Sequence, residues 1–387
     1  MEISEQPPVD PTKPQNEEIK PKIEIESKPS LLKRIGGTVG YLLFLLVFFE
    51  IAFRIFFNIP IFIYMLPFDD AFEVKWYYWW LERHKNAGVE IYFSYDDYDE
   101  TLGWVSKPNL EAHSSDIDQT MLSTNSNRLR MTYDVPYENT AGNQRILVLG
   151  DSFTFGENVN DDENYPYLLD QALPDTTVIN AGVHGYGHDQ MLIYFQEDGV
   201  KYSPDIVMVG FLSTDVSRNV LKFRDFAKPK FELNDGELEL TNVPVPKPNE
   251  VLADSYWRSR TMDVGQIFYD IFRQRTGRLK AEEAEITTAI LDEIVATTQE
   301  IGAIPVLVYM PWGEEITEDL DLVEWEAFML SYCEQNPEVH CTTLRPEFAD
   351  GLAAGTTFHE GHWKPPGHQV VADGVFDFLV KSELVNP

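Results

Sequence analysis

The chain is short of cysteine, short of positive charge, and carries no Asn-x-Ser/Thr acceptor site in its 387 residues. Each shortage excludes something. Cys333 and Cys341 are the only two cysteines, too few to build a tetrahedral zinc site by themselves. They are either one disulfide in an oxidising compartment or a pair of half-buried thiols. Thirty Lys and Arg face 64 Asp and Glu, a formal charge of −34. Phosphate binding needs a basic face, so no nucleic-acid partner is expected. Without a sequon, nothing points to N-glycosylation. What the chain does have is aromatic weight, with 8 Trp, 18 Tyr and 24 Phe; that excludes a disordered polymer and supports a full core.

The amino-terminal third reads as three pieces. Residues 1–34 are rich in Pro, Glu and Lys, with six basic and seven acidic side chains, and read as a disordered tail. Residues 35–68 hold the apolar run that starts Ile35-Gly36-Gly37 and continues through Phe49 to Glu50 and Arg54. It is read as a single transmembrane helix, with Glu50 and Arg54 paired one turn apart. Lys20, Lys22, Lys28, Lys33 and Arg34 precede it, against Lys75, Arg83 and Lys85 after it. That bias places the tail in the cytoplasm and the remainder outside the membrane. No small-x-small cleavage site follows, so the segment is read as an uncleaved anchor. Residues 69–143 form a juxtamembrane extension. Its stretch Phe72–His84, rich in Trp and Tyr, either lies along the outer membrane surface or packs on the domain that follows.

From Arg145 the pattern alternates apolar strands with helical stretches. Strands are expected at 145–149, 177–181, 205–211, 304–309 and about 338–343, and helices over much of 163–173, 189–200, 282–301, 322–335 and 366–382. Ile146-Leu147-Val148-Leu149 has no polar alternation, which suits a strand covered on both faces. The alternation argues for a parallel sheet with helices on both sides. The domain is set at 144–387, with an insertion at about 221–280. The insertion is taken as a lid or substrate wall near the site, and within it Asn234-Asp235-Gly236 between alternating runs signals a β-hairpin.

The polar loops fall after the strands, at the end where a doubly wound sheet binds ligands. After the first strand come Gly150-Asp151-Ser152; after the second, Asn180-Ala181-Gly182-Val183-His184-Gly185-Tyr186-Gly187; after the third, Thr214-Asp215; before the last helix, His359-Glu360-Gly361-His362. A serine nucleophile needs a base, an orienter for that base and oxyanion donors. His362, Glu360 and the glycine backbone are of the right types. Asp151 is expected to hold the loop by accepting backbone N–H bonds.

In these four blocks, over roughly residues 144–385, the chain resembles the SGNH or GDSL hydrolases, and the segment 98–109 is similar to the extension that precedes the domain in membrane-anchored bacterial members. The resemblance implies a flavodoxin-like three-layer α/β/α sandwich with a five-stranded parallel sheet. It implies Ser152 as nucleophile, His362 as base, Glu360 as orienter, and an oxyanion hole from the N–H groups of Ser152 and Gly182 with the Thr214 hydroxyl. Two positions depart from the family pattern. Thr214 stands where asparagine is usual, a shorter donor that can rotate, and Glu360 stands for aspartate. The Gly-x-Ser-x-Gly signature is absent, against the α/β-hydrolase fold. His184 and His188, four apart among glycines, are read as pocket-lining loop; His359, Glu360 and His362 are too close in sequence to converge on a metal without strain; His368 is read as structural. No metal or cofactor is expected. The implied activity is hydrolysis or transfer of acyl esters, O-acetyl groups on extracytoplasmic carbohydrate or lipid. The alternative is a catalytically weakened carbohydrate-binding or assembly protein of an envelope polysaccharide pathway.

Overall fold

The computed structural model describes residues 31–65, 70–85, 92–116 and 119–386, excluding the side chains of residues 60, 63, 65, 85 and 360. The expected tail, residues 1–30, lies outside the described residues. The chain divides at residue 51, and residues 52–387 form one compact unit. Helix α1 (Leu31–Phe56) has 26 residues, with mean hydropathy 2.1 over an 18-residue window that buries nothing. At about 1.5 Å per residue it is roughly 39 Å long, enough to cross a bilayer core. It starts before the expected boundary at residue 35 and stops well before 68, because Asn58 and Pro60 interrupt it and a short separate helix, Pro60–Met65, follows.

Helix α2 (Glu73–Lys85) settles the reading of the aromatic stretch. Val74, Tyr77, Tyr78, Trp80 and Leu81 are buried, and the rings of Tyr77 and Trp80 meet Phe223 edge-on at 5.5 and 5.6 Å. Each such burial is worth about 1.5–3 kcal/mol. The segment therefore packs on the domain.

Five strands, β1 (Gln144–Gly150), β2 (Thr176–Gly182), β3 (Ile206–Phe211), β4 (Ile304–Tyr309) and β5 (His340–Thr343), pair in the order β2-β1-β3-β4-β5. Every pairing is parallel, with Ile146 opposite both Val178 and Ile206. Around the sheet lie α3 (Tyr165–Ala172), α4 (His188–Glu197), α5 (Ser213–Arg218), α6 (Arg260–Arg275), α7 (Arg278–Glu300), α8 (Glu324–Gln335), α9 (Arg345–Ala353) and α10 (Pro365–Lys381). Side chains alternate across the strands. Ile146 and Val148 enter one core with Leu169 of α3, Phe348 of α9 and Val371 of α10. Leu147 and Leu149 enter the other with Met191 of α4, Ile290 of α7 and Met329 of α8. This is the three-layer flavodoxin-like sandwich, and its strand order reverses direction between β1 and β3.

The extension before β1 is built into this unit. The hairpin Asp96–Asp99/Gly103–Ser106 buries Trp104, whose indole N–H donates to the His184 carbonyl at 2.9 Å. In the insertion, Lys230–Asn234 pairs with Glu237–Thr241 around an Asp235-Gly236 turn, as expected. This hairpin lies against α4 and α7 and lines a separate surface hollow with Leu192 and Ala289, whereas Arg224 and Asp225 of the same insertion border the cavity that holds Ser152. Cys333 and Cys341 form a disulfide between the end of α8 and β5.

Candidate active site

Ser152 follows β1 at the switch point, on the first position of a single helical turn, Ser152–Phe155. Asp151 caps that turn: its carboxylate accepts the Phe153 N–H at 2.9 Å and an Arg218 N–H at 2.9 Å. Arg218 also donates to Asp215 at 2.6 Å and to the Tyr186 carbonyl at 2.8 Å. One buried guanidinium thus ties together the loops after β1, β2 and β3. The serine loop is a pinned element, as the sequence expects of Asp151.

His362 arrives from the far end of the chain. It sits on a hairpin, His359–Glu360 against His362–Trp363, turning at Gly361. The hairpin is held by Trp363, fully buried with its indole N–H donated to the Pro311 carbonyl at 3.0 Å. His362 Nε2 stands 2.8 Å from Ser152 Oγ, and the Phe153 ring packs 4.8 Å from the imidazole. Glu360 is the cross-strand partner of His362 in this hairpin; its side chain lies outside the described residues.

The oxyanion side differs from the sequence reading at one position. Gly182 has its N–H donated to Asn180 Oδ1 at 3.0 Å. A Cβ on it would collide with Thr154 and the Phe155 nitrogen, so its role here is close packing of β2 under the serine turn. The loop brings Gly185 to the cavity instead, with a left-handed φ of 71° that favours glycine. Gly185 N–H is unengaged among the described residues. Thr214, on the first turn of α5, also lines the cavity, and its buried hydroxyl has no partner among the described residues. An unpartnered buried hydroxyl facing a cavity is a donor in waiting.

The cavity holds about 310 Å³, within the range of small-molecule sites. Besides Ser152, His362 and Thr214 it is lined by Phe93, Phe153 and Trp312 and by Glu157, His184, Arg224 and Asp225. Sequence reasoning missed most of the second group. Glu157 Oε2 lies 3.4 Å from His362 Nε2, and Glu157 Oε1 lies 4.0 Å from His184 Nδ1. Burial pushes the Glu157 carboxyl above its usual range, against the pull of His362 and then His184. His184 Nε2 contacts Asp96 Oδ2 at 2.6 Å, both side chains buried. Burial opposes the imidazolium, but Asp96 outweighs it and the pKa rises to about 9. A signal for Glu157 existed, a carboxylate five residues past the serine in an apolar turn. Asp96 had none, since 88 residues separate it from His184.

His188 and His368 are not in the cavity. His188 begins α4, bonds Asn219 at 3.2 Å and is held neutral by burial, its pKa lowered to about 3. His368 accepts the Tyr165 N–H at 3.3 Å and is lowered to about 3 by the same cause. Among the described residues no three His, Cys, Asp or Glu side chains are arranged to hold a metal.

No family model matches the chain, and no curated protein does. Solved structures that it is similar to include a member of the lipolytic G-D-S-L family from Veillonella parvula, 10% identical, with a TM-score of 0.38, covering 62% of this chain and 99% of that one. Another lipolytic protein of the G-D-S-L family, from Desulfitobacterium hafniense, is 16% identical, with a TM-score of 0.36, covering 61% of this chain and all of its own. An acetylxylan esterase from Geobacillus stearothermophilus is 15% identical, with a TM-score of 0.35, covering 61% of this chain and 94% of that one. The solved structures to which this chain is similar thus include G-D-S-L lipolytic proteins and an acetylxylan esterase.

Proposed function

We propose that the protein is a serine esterase of SGNH type, anchored by α1 with residues 70–387 outside the membrane, acting on short acyl esters of carbohydrate. The observation that carries the activity is the 2.8 Å contact between Ser152 Oγ and His362 Nε2, placed at the carboxyl end of β1 at the switch point of the sheet. In the proposed reaction His362 Nε2 takes the Ser152 proton as Oγ attacks the ester carbonyl. The Ser152 and Gly185 N–H groups and the Thr214 hydroxyl donate to the oxyanion. His362 then gives its proton to the leaving alkoxide. Water, activated by the same imidazole, releases the acid from the acyl-serine; a sugar hydroxyl in its place makes the reaction an acyl transfer. Glu360 is assigned to the Nδ1 side of His362, as orienter.

Three further features support the reading. The cavity is bounded by rings of Trp312, Phe93 and Phe153 together with charged side chains, a lining that suits a sugar ester better than a long acyl chain. The disulfide fits an oxidising compartment. The basic flank before Ile35 fits a cytoplasmic amino terminus. The test is labelling of the full chain with a fluorophosphonate probe, followed by peptide mass spectrometry. The adduct is expected on Ser152; an unlabelled Ser152 in folded protein overturns the reading.

A further inference from the structure

A second aromatic surface, distant in sequence from the first, is left uncovered. Tyr256, Trp257, Met262, Phe268, Tyr269 and Phe272 are all exposed, Trp257 at 88%, Met262 at 73% and Phe268 at 68%. Four of them belong to α6. At 100° per residue, positions 262, 268, 269 and 272 fall on roughly one third of the helix circumference. The opposite side holds the buried Asp263, Ile267 and Asp270. Helix α6 therefore has two sides: one seated on the protein, one apolar and open.

The segment that carries this face is locally basic, with Arg273 paired to Glu282 and Lys280 to Glu324 outside it. Residues 258–280 carry six basic side chains against Asp263 and Asp270, a net +4 in a chain of −34. Arg275 and Arg278 are exposed. Arg273 and Arg278 lie over the rings of Tyr269 and Phe272, at 5.7 and 5.4 Å. Exposed aromatics interleaved with arginine match the composition of helices that lie in a headgroup layer.

The location agrees. Arg54, in the last turn of α1, donates to the carbonyls of Tyr256 and Arg258, both at 3.2 Å. Phe57, just past that turn, stacks on Tyr78 at 4.2 Å, and the Tyr78 hydroxyl donates to Asp263 of α6 at 2.6 Å. The point where the apolar helix ends is thus bonded to the start of the uncovered face.

We propose that this face of α6, with the 256–258 turn, is a membrane-docking surface that seats residues 70–387 on an anionic lipid headgroup layer. The proposal rests on the reading of α1 as a membrane span. It assigns the interfacial role to α6, where the exposed rings are, and not to α2, whose Tyr77, Tyr78 and Trp80 are buried and whose Trp76 and Trp79 are partly buried. A charge-complementary lipid surface covers the aromatic arc while the arginines meet phosphate.

The test uses the full chain reconstituted into vesicles of phosphatidylcholine with a minority of phosphatidylglycerol. Because Cys333 and Cys341 are joined, a single added cysteine takes an environment-sensitive dye selectively. F268C is compared with Q171C, an exposed position on α3, and brominated lipid is the quencher. Quenching several-fold stronger at 268 than at 171, reduced by R275E/R278E, is the expected result. Flotation with the vesicles but equal quenching at both positions overturns the docking surface and leaves the anchor standing. No flotation at all overturns the anchor reading, and the proposal with it. Dye self-quenching at 268 that rises with protein density, without lipid quenching, shows a second copy on this face and also overturns it.

Discussion

Two histidines share the cavity wall, each beside a carboxylate, and they are built for different ends. His184 is enclosed, its Nε2 2.6 Å from Asp96 with both side chains buried. His362 is partly open, with 29% of its side chain exposed, and its Nε2 faces a hydroxyl at 2.8 Å. The first is a buried pair in which Asp96 favours the imidazolium, while burial pushes the Asp96 carboxyl itself upward. The second, on the proposed reading, exchanges a proton with the Ser152 hydroxyl beside it. Residue type is the same in both, so what differs is which partner the ring nitrogen meets and whether solvent reaches it. A buried carboxylate partner favours the charged ring, whereas a hydroxyl partner brings no charge of its own.

The largest test of this contrast is at the open pair. S152A should lower kcat on a short acyl ester by about 10⁴- to 10⁶-fold with the thermal transition unchanged; a variant that hydrolyses at the wild-type rate removes the reading of His362 as its base. Next in size is the question of which carboxylate serves His362. E360Q should cost up to about 10⁴ in kcat if Glu360 sets the tautomer. E157Q should cost far less, because Glu157 approaches Nε2 and not Nδ1. Steady-state kinetics of the two variants side by side decide it, and the reverse order reassigns the orienter to Glu157.

At the closed pair the expected loss is in stability. D96N leaves a buried imidazole without its counter-charge, and removal of one partner of a buried pair costs about 3–5 kcal/mol. Denaturant unfolding measures it. The same pair predicts a pH dependence. The His184 pKa is raised on folding from the ordinary 6.5 to about 9. Its contribution to stability is therefore fully present below pH 6.5 and is lost as pH rises through 9. The gap in Tm between wild type and D96N should narrow over that interval; a constant gap means that His184 is neutral. The smallest expected effect is that of T214V. A well-placed oxyanion donor is worth about 2.7–4 kcal/mol in the transition state, and a single rotatable hydroxyl should fall below that. Kcat should drop more than KM rises. If the valine variant keeps full kcat, the N–H groups of Ser152 and Gly185 are sufficient alone.

The strand positions were legible from the amino-acid pattern because a strand covered on both faces must be a short apolar run, and such runs are local. The Asp235-Gly236 turn was legible for the same reason: a two-residue hairpin needs residues that tolerate its backbone. Helix α6 was not expected. Its buried side carries Asp263 and Asp270, satisfied by Tyr78, Arg258 and Arg273, and its apolar arc is the exposed one, so the pattern does not read as a core-facing helix. Ser152 and His362 could be placed because each closes a recognisable block at the end of a predicted strand or before a predicted helix.

Tertiary structure alone decided the rest. Gly182 and Gly185 are indistinguishable as letters; the Asn180 side chain claims one amide and leaves the other at the cavity. Asp96 reaches His184 across 88 residues because the extension folds back over the loop after β2. Both α2 and α6 carry aromatic side chains, yet Phe223 covers Tyr77 and Trp80 of the first, while Phe268, Tyr269 and Phe272 of the second stay exposed. Local sequence sets periodicity, turn type and residue chemistry, since these act within a few residues. Which nitrogen meets which carboxylate, and which face meets water, depends on chain crossings that no local pattern encodes.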